Sequence, residues 1–394
     1  MHTFVHIDCN SFFASCEVAT NPELAGRPVV VANDNEVGGG ILLALTAEAK
    51  ALGLKRGTPV FQCRRLMELN HVVVCQADHK KYRRISRQIM DCVQQQAIVL
   101  DFVQYSVDEF FGRLPIDDPN EVRHYVKIVK DHIEQTSGVP VSCGCSQSYT
   151  LAKVATHYAK HYKGYKGICV LTPDKREKAL GMLPIGDVWG IGRQNRQKLE
   201  RLGVRTALDF VRRDEKEMQR LFSTTGLRTY WELQGRPCIN LDRPEMQRSI
   251  SQSRTFGKMI EDKASLAEHI RTFVSDCATK LRAQGGLCSS VTVFVATNRH
   301  REDLPQYNNG ATCKLAVPTS DTPTLIQAAL SQLTAIFRRG YLYKQAGAIL
   351  SGITPAAGSQ LDLFTAPEDE RRRKLMQVTD EINAKFGDDT VEFG

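Results

Sequence analysis

Twice along this 394-residue chain, apolar runs of strand length alternate with segments of helical period in the order β-α-β-β-α-β. The first pass opens on Thr3-Phe4-Val5-His6-Ile7 and a helix entered at Asn10 or Ser11. Two runs rich in β-branched and aromatic residues follow at 97–105 and 110–114. Val122, Val126, Val129 and Ile133 then recur at helical spacing, ahead of a strand at 140–144 and a helix at 149–160. In the second pass strands fall near 251–259, 291–296, 312–317 and 346–353. Its helices carry single apolar stripes, Leu266, Ile270, Phe273, Val274, Cys277 and Leu281 in one and Ile326, Ala329, Leu333 and Phe337 in the other, which read as core. The pattern predicts an α+β multidomain chain in which the first sheet is mixed and carries its helices on one face. The length exceeds one ordinary core, so roughly two to four domains are expected.

Acids stand where the first set of strands ends. Asp108 and Glu109 lie between the runs at 97–105 and 110–114. Inside one strand, neighbouring side chains point to opposite faces, so adjacent acids serve one site only at a hairpin tip. Two anions among apolar strands are costly unless a cation neutralises them. A divalent-metal site of oxygen ligands suited to Mg²⁺ is one reading; a solvated acidic turn is the other. Asp8 adds a third carboxylate where a strand hands over to a helix. Three carboxylates from two strand ends are what a two-metal phosphoryl-transfer site needs.

Composition narrows the class. A hydrophobic content of 42% with 24% charge is that of a soluble globular protein. No apolar run approaches the roughly 20 residues of a membrane span, and the N-terminus has no basic region typical of a signal peptide. The 12 cysteines include no CxxC pair, which argues for reduced, buried thiols in a cytoplasm rather than a zinc framework. His157 and His161 have the i, i+4 spacing of a metal pair, but surface histidines are the better reading without a third ligand nearby. The net charge of +8 is clustered: Lys80, Lys81, Arg83, Arg84 and Arg87 in one run, Lys153, Lys160, Lys163 and Lys166 in another. One such run is usually a solvated helix face; several together fit a polyanion track.

Asp8, the aromatic pair Phe12-Phe13 and Ser106-Val107-Asp108-Glu109 resemble the catalytic motifs of the Y-family translesion DNA polymerases. Residues 47–53 and 187–193 resemble the UmuC branch, that of the catalytic subunit of bacterial DNA polymerase V. The resemblance runs in order along nearly the whole chain. It implies a right-hand polymerase: a palm at 1–173 with small fingers inserted at about 24–77, a helical thumb at 174–240, a βαββαβ little finger at 241–355 and a tail at 356–394. It implies two Mg²⁺ ions held by Asp8, Asp108, Glu109 and the Cys9 carbonyl. One lowers the pKa of the attacking hydroxyl and the other holds the triphosphate.

Further roles follow from the same resemblance. Phe12, Phe13, Lys50 and Lys153 are nucleotide-binding candidates, with Phe13 as a steric gate against ribonucleotides. Lys153 also lies near a predicted helix N-terminus, which attracts phosphate. Where other family members have a threonine and a tyrosine on the phosphates, this chain has Ala44 and Ala47, within a helix expected at 44–52. The loop with Gly38-Gly39-Gly40 suits backbone approach to phosphate or plain flexibility. Gly190-Ile191-Gly192, followed by Arg193, Arg196 and Lys198, reads as a helix-hairpin-helix turn whose backbone N–H groups contact DNA without reading sequence. Gln360-Leu361-Asp362-Leu363-Phe364 resembles the peptide that docks on the bacterial β sliding clamp. The implied partners are primer-template DNA, dNTP, the β clamp and, by branch, UmuD-like subunits and RecA, with no membrane. A non-catalytic clamp- and DNA-binding accessory protein is the alternative from another class. A nucleotide cyclase on a similar palm would need neither the helix-hairpin-helix nor the clamp peptide.

Overall fold

In the computed structural model the described residues are 2–33, 40–95, 100–241, 246–356, 370–387, 390–391 and 393. They form two units, 1–243 and 244–394, each with its own core. The candidate clamp peptide, Gly38, Gly39, residues 97–99 of the expected strand and most of the polar stretch after 241 lie outside the described residues.

In the first unit, β1 (Thr3–Cys9) leads into α1 (Phe12–Thr20). Next come β2 (Val29–Ala32), β3 (Leu42–Leu45), α2 (Ala47–Ala51), α3 (Val60–Leu69) and β4 (Val73–Gln76), a small layer with its own three-stranded sheet in the order β3-β2-β4. The helix expected from 44 begins later. Ala44 and Leu45 extend β3, and Thr46 caps α2 by accepting from the Ala49 N–H. The chain then supplies α4 (His79–Gln94), β5 (Leu100–Gln104), β6 (Glu109–Leu114), α5 (Pro119–Ser137), β7 (Val141–Ser146), α6 (Tyr149–His161) and β8 (Ile168–Val170).

The main sheet has the order β5-β6-β1-β7-β8, antiparallel except for the parallel β7–β8 pair, and so is mixed as expected. Its helices are not on one face. Val5, Ile7, Cys9, Cys143 and Cys145 point into a core with α1, α4 and α5. On the other face α6 lies against the sheet so closely that a Cβ on Gly144 would meet the Ala152 carbonyl oxygen and the Thr156 nitrogen at 2.2 Å. The sequence hides this second helical layer, because His6 of β1 and Ser142, Gly144 and Ser146 of β7 are polar or lack a side chain and do not mark a packed face.

Five helices follow: α7 (Pro173–Met182), α8 (Arg193–Arg201), α9 (Ala207–Val211), α10 (Glu215–Leu221) and α11 (Thr224–Leu233). They close on a shared core with residues of α6. Glu232 of α11 is fully buried. Its carboxylate accepts from the backbone N–H groups of Thr150, Cys238 and Ile239, at 2.9, 2.9 and 3.1 Å. A buried carboxylate is tolerated when N–H donors surround it, and this one pins α11 to the start of α6.

The second unit is a four-stranded antiparallel sheet of β9 (Ser249–Ile260), β10 (Gly286–Thr297), β11 (Asn308–Thr319) and β12 (Tyr343–Ser351), in the order β11-β10-β12-β9. A short β13 (Thr354–Pro355) adds to β10. The helices α12 (Lys263–Ala283) and α13 (Thr322–Ile336) bury their stripes against it, as read from the sequence. One further helix had no counterpart in the sequence reading: α14 (Glu370–Phe386) docks on this unit. Arg282 grips Asp380 through Nε and Nη2, at 2.6 and 2.7 Å, and Met376 and Thr379 are buried. Among the described residues no helix is long and apolar enough to cross a membrane.

Candidate active site

β1 and β6 run antiparallel with Asp8 directly opposite Glu109 and His6 opposite Phe111. The hairpin turn is tight: the N–H groups of Tyr105 and Ser106 both donate to the Glu109 carbonyl. Asp108 sits in that turn. Its carbonyl accepts from the Cys9 N–H at 2.9 Å and its carboxylate from the Ser106 hydroxyl at 3.0 Å. The turn thus breaks the strand alternation, as the sequence reading required. Asp8 and Glu109 are adjacent across strands, and Asp108 is near enough for its charge to act on Asp8. Burial pushes the Asp8 carboxyl up to about 6 against the pull of Lys160, with Glu109 and Asp108 adding to the rise.

α6 supplies the opposing charge. Lys153, Thr156 and Lys160 occur at i, i+3 and i+7 and share one helical stripe. Lys153 Nζ bonds both Glu109 oxygens at 2.9 and 3.0 Å, and Lys160 pairs with Asp8. Lys153 is held by aromatic rings as well, 5.2 to 5.7 Å from the centroids of Tyr105, Phe111 and Trp189. A third lysine, Lys50 of α2, donates to the Ser11 hydroxyl at 2.7 Å; burial and Lys160 both lower its pKa. Ser11 therefore precedes α1 without a side-chain cap bond, contrary to the expected capping, and takes a left-handed φ of 49°.

The donor atoms of His6, Asp8 and Glu109 all lie within 4.8 Å of one another. His6 was no sequence candidate. It is 1% exposed, and burial, with Lys153 and Lys160 nearby, drives its pKa well below the usual value. Partly buried acids crowded together and countered by lysines fit a divalent cation better than a solvated turn. Asp8, Asp108 and Glu109 offer oxygen donors of the hard type that Mg²⁺ takes.

The aromatic candidates separate. Phe12 is 3% exposed and its ring is committed to the core. Phe13 is half-buried and stacked on Tyr82, with ring centroids 4.4 Å apart and planes at 14°. Tyr82 is fixed from below by Glu17, which accepts its hydroxyl at 2.7 Å and pairs with Lys81. Lys160, Tyr82, Glu17 and Trp189 were not singled out as site residues from sequence. The one available signal was the i, i+7 relation of Lys160 to Lys153.

Away from the acids, Gly190 has φ 86°, and a Cβ there would lie 2.6 Å from Thr229 Oγ1, so the turn requires glycine. Ile191 is buried, Gly192 precedes α8 and Arg193 is exposed. The segment before the turn is a 3-10 turn (Ile185–Asp187) rather than a full helix, because α7 ends at Met182. The rings of His157 and His161 lie 4.3 Å apart with planes tilted by 33°, and neither belongs to the compact donor group. A cavity of about 750 Å³ opens at the other end of β1, beside Thr3, Phe4, Arg113 and Cys238, remote from the acids.

Residues 7–157 match the model of the impB/mucB/samB family, and residues 247–363 match that family's C-terminal domain. The chain is 33% identical to Protein UmuC of Salmonella typhimurium (strain LT2), across 99% of this chain and 92% of that protein. It is also 33% identical to Protein ImpB of Salmonella typhimurium, across 96% and 90%. DNA polymerase IV of Methanoculleus marisnigri is 29% identical across 88% and 93%. Among solved structures, a Y-family DNA polymerase chimera of Dbh and Dpo4 has a TM-score of 0.70 at 20% identity, covering 90% of this chain and 99% of that one. An insertion ternary complex of Dbh DNA polymerase has a TM-score of 0.56 at 19% identity, covering 90% and 99%.

Proposed function

The chain belongs to the impB/mucB/samB family, in the UmuC branch of the Y-family polymerases, and from that premise we propose that it is a template-directed, error-prone translesion DNA polymerase of the DNA-damage (SOS) response. The observation that carries the reading is the pairing of Asp8 with Glu109 across β1 and β6, with Asp108 in the adjoining turn. Asp8, Asp108, Glu109 and the Cys9 carbonyl are the proposed holders of two Mg²⁺ ions. Bound there, the ions lower the pKa of the primer 3′-hydroxyl and offset charge on the triphosphate.

The chain's own residues do the rest. Lys50, Lys153 and Lys160 neutralise the triphosphate, exchanging their bonds to Ser11, Glu109 and Asp8 for phosphate oxygens. The primer oxygen bonds to the α-phosphorus, the bond to the bridging oxygen breaks and pyrophosphate leaves. Phe13, braced by Tyr82, excludes a 2′-hydroxyl. We assign residues 1–173 to the palm with fingers inserted at about 24–77, 174–240 to the thumb, 241–355 to the little finger and 356–394 to the tail. The helix-hairpin-helix turn at Gly190–Gly192 with Arg193 holds a DNA phosphate. Residues 360–364 dock on the β sliding clamp, and UmuD-like subunits and RecA are further partners, in a cytoplasmic setting.

Primer extension by the purified protein, with Mg²⁺ and with EDTA, tests the reading. Template-dependent addition that EDTA abolishes is expected. DNA and clamp binding without nucleotide addition would favour the accessory-protein alternative.

A further inference from the structure

His6 lies two residues before Asp8 and so on the same face of β1. It is buried between Phe111 and Gly144, its cross-strand neighbours. One ring nitrogen is engaged: Nδ1 is 2.9 Å from Thr156 Oγ1. Thr156 has a single hydroxyl proton and two carbonyl acceptors for it, Ala152 at 3.0 Å and His6 at 3.2 Å. With that proton on a carbonyl, Oγ1 accepts at the imidazole, and Nδ1 carries the hydrogen. The lone pair of the neutral ring then sits on Nε2.

That nitrogen is buried and has no hydrogen-bond partner. Glu109 Oε1 stands 3.8 Å away. A lone pair aimed at a carboxylate oxygen with no proton between them is repulsive, and a buried acceptor left unpaired is destabilising. A cation shared by the two removes that cost. Nε2, Asp8 and Glu109 already bring their donor atoms within 4.8 Å of one another, and Thr156 fixes the ring so that Nε2 faces the acids. A second-sphere hydrogen bond to a ligating imidazole does this kind of orienting work elsewhere.

We propose that His6 Nε2 is a nitrogen donor to a divalent cation held with Asp8 and Glu109, so that this site prefers Mn²⁺ or Co²⁺ to Mg²⁺. The inference rests on the carboxylate reading above and adds to it a specificity-determining ligand. The reason is chemical: Mg²⁺ takes oxygen ligands, whereas imidazole suits later first-row metals and affinity rises along that series.

The test is Mn²⁺ binding to the full-length protein without DNA, followed by titration and by pulsed electron paramagnetic resonance. Wild type should show hyperfine coupling to a directly bound imidazole nitrogen. His6→Leu should abolish the coupling and weaken Mn²⁺ on the order of tenfold, with a smaller change for Mg²⁺ in competition. Mn²⁺ bound without nitrogen coupling, or coupling that survives His6→Leu, overturns the role of His6. The carboxylate site then stands so long as Asp8→Asn loses Mn²⁺. If Asp8→Asn binds Mn²⁺ as wild type does, or wild type binds none, the underlying reading falls as well. The wild-type spectrum needs no variant, so a misfolded His6→Leu would not protect the proposal.

Discussion

At the scale of single residues, the acids and Phe13 carry distinct consequences. Asp108→Asn keeps shape and hydrogen-bonding capacity but removes a charge from the cleft. Nucleotide addition should fall at least about a hundredfold, the scale of losing one preorganised electrostatic group. DNA binding should survive, since the lysines and arginines remain. Near-wild-type extension by the purified variant would remove Asp108 from the site. Phe13→Ala deletes a half-buried ring stacked on Tyr82 rather than a core ring. The protein should stay folded and use ribonucleotides more readily, and an unchanged rNTP-to-dNTP ratio in single-nucleotide insertion would refute the gate. Asp8, Asp108 and Glu109 could be singled out in the sequence because three carboxylates stand at strand ends within motifs that resemble the family's, and the structure sets Asp8 opposite Glu109 with Asp108 in the adjoining turn. His6 and Lys160 could not be singled out. Their part depends on which face of β1 and which stripe of α6 meet, and one sequence does not give the pairing of faces.

At the scale of elements, the site depends on how closely α6 lies on the sheet. Gly144 permits that approach, since the atoms a Cβ would strike belong to the backbone of α6 and cannot rotate away. Gly144→Ala should therefore cost about 3 kcal/mol or more, at the upper end of overpacking effects. It should also displace Lys153, Thr156 and Lys160 together, because they share one helix. Urea unfolding reports the first effect. The second appears as loss of extension in whatever fraction remains folded. A variant as stable and active as wild type would mean that α6 has room the structure does not show. The expectation of helices on one face followed from the β-α-β-β-α-β order, which does not show that Gly144 opens the second face to α6. The four long strands and two helical stripes of the second unit were readable because they bury one face only; the short β13 was not read. The docking of α14 rests on the pairing of Arg282 with Asp380, 98 residues later in the chain, and on the burial of Met376, and left no periodic mark.

At the scale of the whole molecule, the cysteines and the charge act on both units. Nine cysteines are buried, and Cys238 alone is exposed. Burial pushes Cys16 and Cys143 in the first unit, and Cys277 and Cys288 in the second, up to about 12 from an ordinary 9.0. The folded chain keeps these protons where the unfolded chain gives them up, so stability is intact below about pH 9 and falls between pH 9 and 12. The slope is about 1.4 kcal/mol per pH unit for each such thiol. Urea midpoints at pH 8 and pH 10 measure it, and equal midpoints would contradict the burial. At pH 8 a thiol reagent should label Cys238 ahead of the buried nine, which react only on unfolding; burial and Glu232 raise the Cys238 pKa and slow its labelling. The net charge of +8 bears on DNA instead. Exposed lysines and arginines meet phosphates, and neutralising about four phosphates makes affinity fall about a hundredfold between ~50 and ~200 mM salt. Unrelated duplexes of equal length should bind alike, because none of the elements described is a recognition helix. Arg193→Ala offers the sharper form of the test. Arg193 is exposed beside the Gly190–Gly192 turn, so its loss should weaken binding uniformly across sequences and lower the salt slope by about 1. An unchanged slope would remove the Gly190–Gly192 turn from the proposed DNA contacts and leave the lysines of α4 and α6 as the candidates.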